Sequence, residues 1–131
     1  TEWTRRRVSV NAKVLIVDDT EHVRKMLVDM LELDGFDVVG AAASGHDAVM
    51  MADRTDPDVI VMDYRMPEMD GLTTARAVHV RRPEQPIILY TAFLDDELEA
   101  LAKEAGVAIC IGKFEGLNSL ERHIAELVRS F

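Results

Sequence analysis

The sequence predicts an α/β domain built on an open parallel sheet, and three observations carry that prediction. Four short apolar runs, Val14-Leu15-Ile16-Val17, Val59-Ile60-Val61-Met62, Ile87-Ile88-Leu89-Tyr90 and Val107-Ala108-Ile109-Cys110-Ile111, are continuous rather than alternating. Such runs suit strands covered on both faces. Segments with helical spacing separate them. Each run also stops at a reactive polar group: Asp18-Asp19, Asp63, Thr91 and Gly112-Lys113. The carboxyl ends of parallel strands line one edge, where ligands bind. Three acids, a hydroxyl and an amine are therefore expected to meet in one crevice.

The elements follow in order. After Asp19, positions Val23, Met26, Leu27, Met30 and Leu31 recur with a period near 3.6, and Gly35 supplies a C-terminal stop. Phe36 to Ala41 reads as a strand. Ser44 and Asp47 have capping-box spacing and open a helix carrying Ala48, Met51 and Ala52. Pro57 separates that helix from the strand leading to Asp63. Asp70-Gly71 begins a third helix through about Val80, closed by Pro83 and Pro86. Asp95, Asp96 and Glu97 suit the positive end of a fourth, packed through Leu98, Leu101, Ala102 and Ala105 and ended by Gly106. The last helix shows Leu117, Leu120, Ile124, Leu127 and Val128. The methionines read mostly as core packing, Cys110 as a buried strand thiol and His22 as a solvated helix residue.

Strand and helix thus alternate five times, with connections long enough for helical crossovers. Right-handed crossovers put helices on both faces. Five strands fit the doubly wound, flavodoxin-like (βα)5 order 2-1-3-4-5. Its switch point falls between the first and third strands, which end in Asp18-Asp19 and Asp63.

Composition bounds the function. The 131 residues, 48% hydrophobic, fit one domain over 13–131, with residues 1–12, including Trp3 and Arg5-Arg6-Arg7, read as a flexible tail. A net charge of -9 argues against direct nucleic acid binding. No run reaches membrane-span length and no signal-peptide pattern opens the chain, and one cysteine suits a reducing cytoplasm. No output domain follows within these residues, so a stand-alone regulator and a piece of a longer one both remain open.

The crevice has its own chemistry. Like charges about 4 Å apart at an effective dielectric near 20 cost about 4 kcal/mol per pair. Protonation or a divalent cation relieves that repulsion. Oxygen donors without clustered histidine or cysteine favour Mg2+, or Mn2+, over zinc. An aspartate beside such an ion can attack a phosphoryl group. Lys113 can then pair with a phosphoryl oxygen as a point charge and Thr91 can donate to another.

With VLIVDD, VMDYRMPEMDG, YTA and the late Lys113 in order, the chain from Lys13 onward resembles the receiver domains of bacterial two-component response regulators. The resemblance implies that Asp63 accepts a phosphoryl group from a histidine kinase or histidine phosphotransfer protein. It implies Mg2+ held directly by Asp19, Asp63 and the Arg65 backbone carbonyl, with Asp18 acting largely through water. Thr91 and Lys113 would read the phosphoryl group. The domain would assist its own phosphorylation without being a metabolic enzyme. An unidentified output partner would use the face of the last two helices and last strand, and whether the domain forms a homodimer stays open.

Two positions depart from the family pattern. Phe114 stands where proline commonly follows the lysine across a cis bond. Cys110 stands where an aromatic side chain commonly rotates inward, which leaves Tyr90 and Phe93 as routes for a Thr91-linked signal. Arg65, two residues beyond Asp63, is expected to touch the phosphoryl group or impede attacking water. One rival is a degenerate receiver that binds partners without phosphate. Another is an aspartyl-nucleophile phosphatase, which needs a second acid where Arg65 stands. A nucleotide-binding flavodoxin-like protein would need a Gly-rich phosphate loop after the first strand, and none follows.

Overall fold

A computed structural model describes residues 12–129. Strands β1 (Lys13–Val17), β2 (Asp37–Ala42), β3 (Val59–Met62), β4 (Ile87–Thr91) and β5 (Ile109–Gly112) alternate with five helices. These are α1 (Glu21–Leu33), α2 (Gly45–Thr55), α3 (Gly71–Arg81), α4 (Asp96–Glu104) and α5 (Leu117–Arg129), with a 3-10 turn at Lys113–Glu115. The sheet is parallel throughout, in the order β2-β1-β3-β4-β5. The flavodoxin-like (βα)5 arrangement expected from the sequence is therefore present.

The continuous apolar runs follow from two cores. Strand residues alternate between faces, so Val14 and Ile16 pack with Leu27, Leu31, Leu120 and Ile124 of α1 and α5. Leu15 and Val17 point the other way, into Ala48, Ala52, Leu72, Ala75, Leu98 and Ala102 of α2, α3 and α4. Every residue from Val59 to Met62 and from Ile87 to Thr91 is buried.

Side-chain caps fix three helix starts. Ser44 Oγ accepts from the Asp47 N–H at 3.1 Å, Asp70 Oδ1 from Thr73 N–H at 2.8 Å and Asp95 Oδ1 from Leu98 N–H at 2.8 Å. Each satisfies an N–H that the first turn leaves unpaired.

Several expectations need correction. Met26 and Met30 lie within the helical period yet are exposed, as is Met50, so packing accounts for only part of the methionine set. Leu27 and Leu31 are the fully buried α1 residues, with Val23 and Val28 packed half-buried against the same core. Leu101 is likewise exposed, leaving Leu98 and Ala102 to anchor α4. Cys110 is half-buried rather than buried. Ala12, assigned to the tail, is buried, and its carbonyl accepts from the Asp37 N–H at 2.9 Å. Trp3 and the Arg5 to Arg7 run lie outside the described residues.

One buried acid makes stability pH-dependent. Glu121 on α5 is 2% exposed and its Oε2 has no hydrogen-bond partner. Burial, reinforced by a hydrogen bond with Asp34 and by the Asp34 charge, pushes its carboxyl up to about 8. The folded value exceeds the unfolded one, so this position favours folding most fully at acid pH. That contribution is lost as pH rises through the folded value. Glu121→Gln is expected to raise the melting temperature by several degrees at pH 9 and little at pH 4. Thermal melts across that range check it.

Candidate phosphoryl-acceptor site

The sheet ladder runs into the acidic residues and fixes their backbones. Asp18 N–H donates to Ala42 O at 3.1 Å, and Asp63 N–H donates to Val17 O at 3.0 Å. Asp18 and Asp63 therefore leave adjacent strands side by side. Asp18 is only 1% exposed. Its Oδ1 accepts the Thr20 N–H at 2.9 Å, and its Oδ2 accepts Lys113 Nζ at 3.0 Å. Arg24 Nη1 donates to the Asp18 carbonyl at 2.8 Å, a support from the next helical turn that no sequence motif signals.

Asp63 Oδ1 accepts the Tyr64 N–H at 2.8 Å, and its Oδ2 lies 3.7 Å from Lys113 Nζ. Asp19 is exposed. Carboxylate oxygens of Asp18, Asp19 and Asp63 all lie within 4.8 Å of one another. Among the described residues this is the one such cluster able to hold a metal ion, and the histidines form none. Its donors are hard oxygens, facing a single ammonium with three carboxylates. That set fits a divalent cation of the Mg2+, Ca2+ or Mn2+ type.

Burial is the largest influence on Asp63 and pushes its carboxyl pKa up. Lys113 opposes the rise, Asp18 and Asp19 add to it, and the Tyr64 N–H bond pulls it down. A raised folded value means that Asp63 favours the cation-free fold at low pH and that this support is lost as pH rises through it. Asp63→Asn is accordingly expected to raise the melting temperature of the cation-free domain at neutral pH. The gain should shrink on acidification, which melts at two pH values will show.

The loop beyond Asp63 is folded back tightly. Gly71 N–H donates to Tyr64 O at 2.7 Å, and Met69 N–H donates to Pro67 O at 2.7 Å. A Cβ on Gly71 would lie 2.4 Å from the Asp63 carbonyl oxygen. The Asp-Gly pair thus does more than start α3, and nothing in sequence spacing reveals that contact.

Thr91 ends β4 in a buried position, beside Gly112 in the ladder. Its Oγ1 accepts the Phe93 N–H at 3.4 Å. The Arg65 guanidinium carbon lies 5.2 Å from the Phe93 ring centroid. Lys113 Nζ lies 5.9 Å from the Tyr90 ring, within the 3-10 turn held by Gly112 N–H donating to Glu115 Oε2 at 2.9 Å. No described peptide bond is cis, so the Lys113-Phe114 bond is trans, and Phe114 is exposed. Cys110 packs towards the α4 core, on the other face from Tyr90 and Ile111. Burial and the charge of Glu99 push its thiol up to about 11, which makes it a poor nucleophile. His22 is exposed, as expected.

The sheet order and the acid-lysine edge are those of an α/β signalling receiver. Residues 14–125 match the response regulator receiver domain family, and the chain belongs to it. The transcriptional regulatory protein PdtaR of Mycobacterium tuberculosis is 30% identical over 91% of this chain and 66% of its own length. A protein-glutamate methylesterase/protein-glutamine glutaminase of Symbiobacterium thermophilum is 35% identical over 91% of this chain but 33% of its own. This chain thus spans under two thirds of these relatives, and what it shares with them is the receiver, a phosphorelay signal-transduction domain without metabolic catalysis. A chain in the CheX-CheY-BeF3-Mg2+ complex of Borrelia burgdorferi superposes with a TM-score of 0.80 at 25% identity, covering 97% of this chain and 96% of that one. No described helix is long and apolar enough to cross a membrane.

Proposed function

We infer that Asp63 is the phosphoacceptor, drawing its phosphoryl group from a phosphohistidine on a histidine kinase or histidine phosphotransfer protein. The observation that carries this reading is Lys113 Nζ set between Asp18 Oδ2 and Asp63 Oδ2, with Asp19 alongside. An Asp63 carboxylate oxygen forms the new bond to phosphorus as the bond to the histidine nitrogen breaks. The imidazole leaves with the bonding pair and is protonated by solvent. Mg2+ (or Mn2+), held by Asp19, Asp63 and the Arg65 carbonyl with Asp18 through water, would neutralise phosphoryl charge. The neighbouring complex that contains BeF3 and Mg2+ supports the choice of ion.

Asp18 keeps Lys113 aimed at the acceptor, and Lys113 and Thr91 then bind phosphoryl oxygens. Each hydrogen bond to a charged group contributes about 1.5–3 kcal/mol, enough to shift a two-state equilibrium. Arg65 touches the phosphoryl group or impedes attacking water, which sets the lifetime of the phosphorylated state, and Tyr90 or Phe93 carries the Thr91-linked signal onward. Output contacts use the exposed face of α4, β5 and α5, where Leu101 and Cys110 are partly accessible. The domain works in the cytoplasm. The three intact acids favour this over a phosphate-independent binding module.

Incubation with acetyl phosphate, with and without Mg2+, followed by intact mass tests the reading. A cation-dependent phosphoryl adduct, absent from Asp63→Asn, is expected. No adduct on the wild type, or one that survives the substitution, would refute it.

A further inference from the structure

We propose that Phe93 is the moving aromatic of this domain, released when Asp63 is phosphorylated. The inference rests on Asp63 being the acceptor and extends that reading to the conformational response. Phe93 is 67% exposed and stands on the loop between β4 and α4, so core packing does not hold it. Two contacts do. Its N–H donates to Thr91 Oγ1 at 3.4 Å, a long bond. Its ring lies under the Arg65 guanidinium, 5.2 Å from centroid to carbon. Both holders stand at the acceptor edge, one as the last residue of β4 and one on the loop two residues beyond Asp63.

Both holders are also groups that a phosphoryl anion attracts. A cation over an exposed ring shifts an equilibrium by about two- to fivefold. A hydrogen bond from guanidinium or hydroxyl to a charged oxygen shifts it by about ten- to a hundredfold. The phosphoryl group therefore wins the competition for Arg65. Phe93 loses its ring partner, and the long 3.4 Å bond to Thr91 Oγ1, whose own hydrogen turns to the phosphoryl group, is then all that holds it. One event at Asp63 thus frees a single exposed phenyl ring and the loop that enters α4. Cys110, short and packed towards α4, has no part in this.

Fluorine NMR on protein carrying para-fluorophenylalanine at its four phenylalanines reads the change. Phe93→Leu assigns the resonance of position 93 by its loss. With Mg2+ and beryllium fluoride, that resonance is expected to move. In Arg65→Ala without the anion it should already lie partway there, the released population having risen about two- to fivefold. A resonance that stays still in protein shown by mass to take a phosphoryl group on Asp63 would overturn the role of Phe93 alone. An Arg65→Ala resonance that remains at the wild-type position would overturn it too. Failure to form any adduct would instead bring down the acceptor reading and this inference with it.

Discussion

Replacing Lys113 with alanine is expected to lower the stability of the cation-free domain by about 3 kcal/mol, and Mg2+ to restore much of it. Asp18 is nearly inaccessible, and its Oδ2 is satisfied by Lys113 Nζ at 3.0 Å. Removing one partner of a buried ion pair typically costs about 3–5 kcal/mol, because the remaining charge is left uncompensated. The lysine is a quarter exposed, which places the cost at the lower end. Asp63 loses the same neighbour, so three carboxylates face each other with no cation among them. A melting temperature lower by about 10 °C follows for a domain of this size. Added Mg2+ should raise the variant's melting temperature more than the wild type's, since the ion replaces missing positive charge. Melts of both proteins with and without Mg2+ give the comparison. Equal Mg2+ effects would mean that Lys113 and the ion do not share these acids.

Gly71→Ala is expected to damage fold and chemistry together. In an exposed helix, alanine for glycine usually stabilises, by about 0.4–1 kcal/mol. Here the new Cβ would meet the Asp63 carbonyl oxygen at 2.4 Å and Tyr64 Cα at 3.0 Å. Those are backbone atoms of the acceptor loop and cannot swing aside as a side chain could. Overpacking of this kind costs about 1–3 kcal/mol. The strain is relieved by a shift of the loop carrying Asp63, which also weakens the Gly71 N–H bond to Tyr64 O. A misplacement of about 1 Å in a reacting group costs on the order of a hundredfold in rate. The variant should therefore melt earlier and acquire phosphate from acetyl phosphate on the order of a hundredfold more slowly. Melts and timed intact-mass measurements check the two effects separately.

The sheet was readable because burial on both faces leaves a mark in one dimension. Val14 and Ile16 serve one core and Leu15 and Val17 the other, so all four must be apolar. The acids, Thr91 and Lys113 were readable because each terminates such a run. Exposure on α1 was not. A period of 3.6 admits Met26 and Met30 to the apolar stripe, whereas Leu27 and Leu31 are the buried residues and Val23 and Val28 pack half-buried beside them. Cys110 sits at the sheet edge, where β5 has a neighbour on one side alone, so it is half open. Gly71 against the Asp63 carbonyl, and Arg65 over Phe93, depend on how two loops close in space. No local pattern encodes either contact.

Borohydride trapping of the phosphorylated domain, followed by peptide mass mapping, locates the residue that carries the phosphoryl group. An acyl phosphate on an aspartate is reduced to homoserine, which marks the acceptor permanently. The expected result is homoserine at position 63, formed only after phosphorylation in Mg2+. Homoserine at Asp18 or Asp19, or phosphate that resists reduction and stays on another residue type, would contradict it.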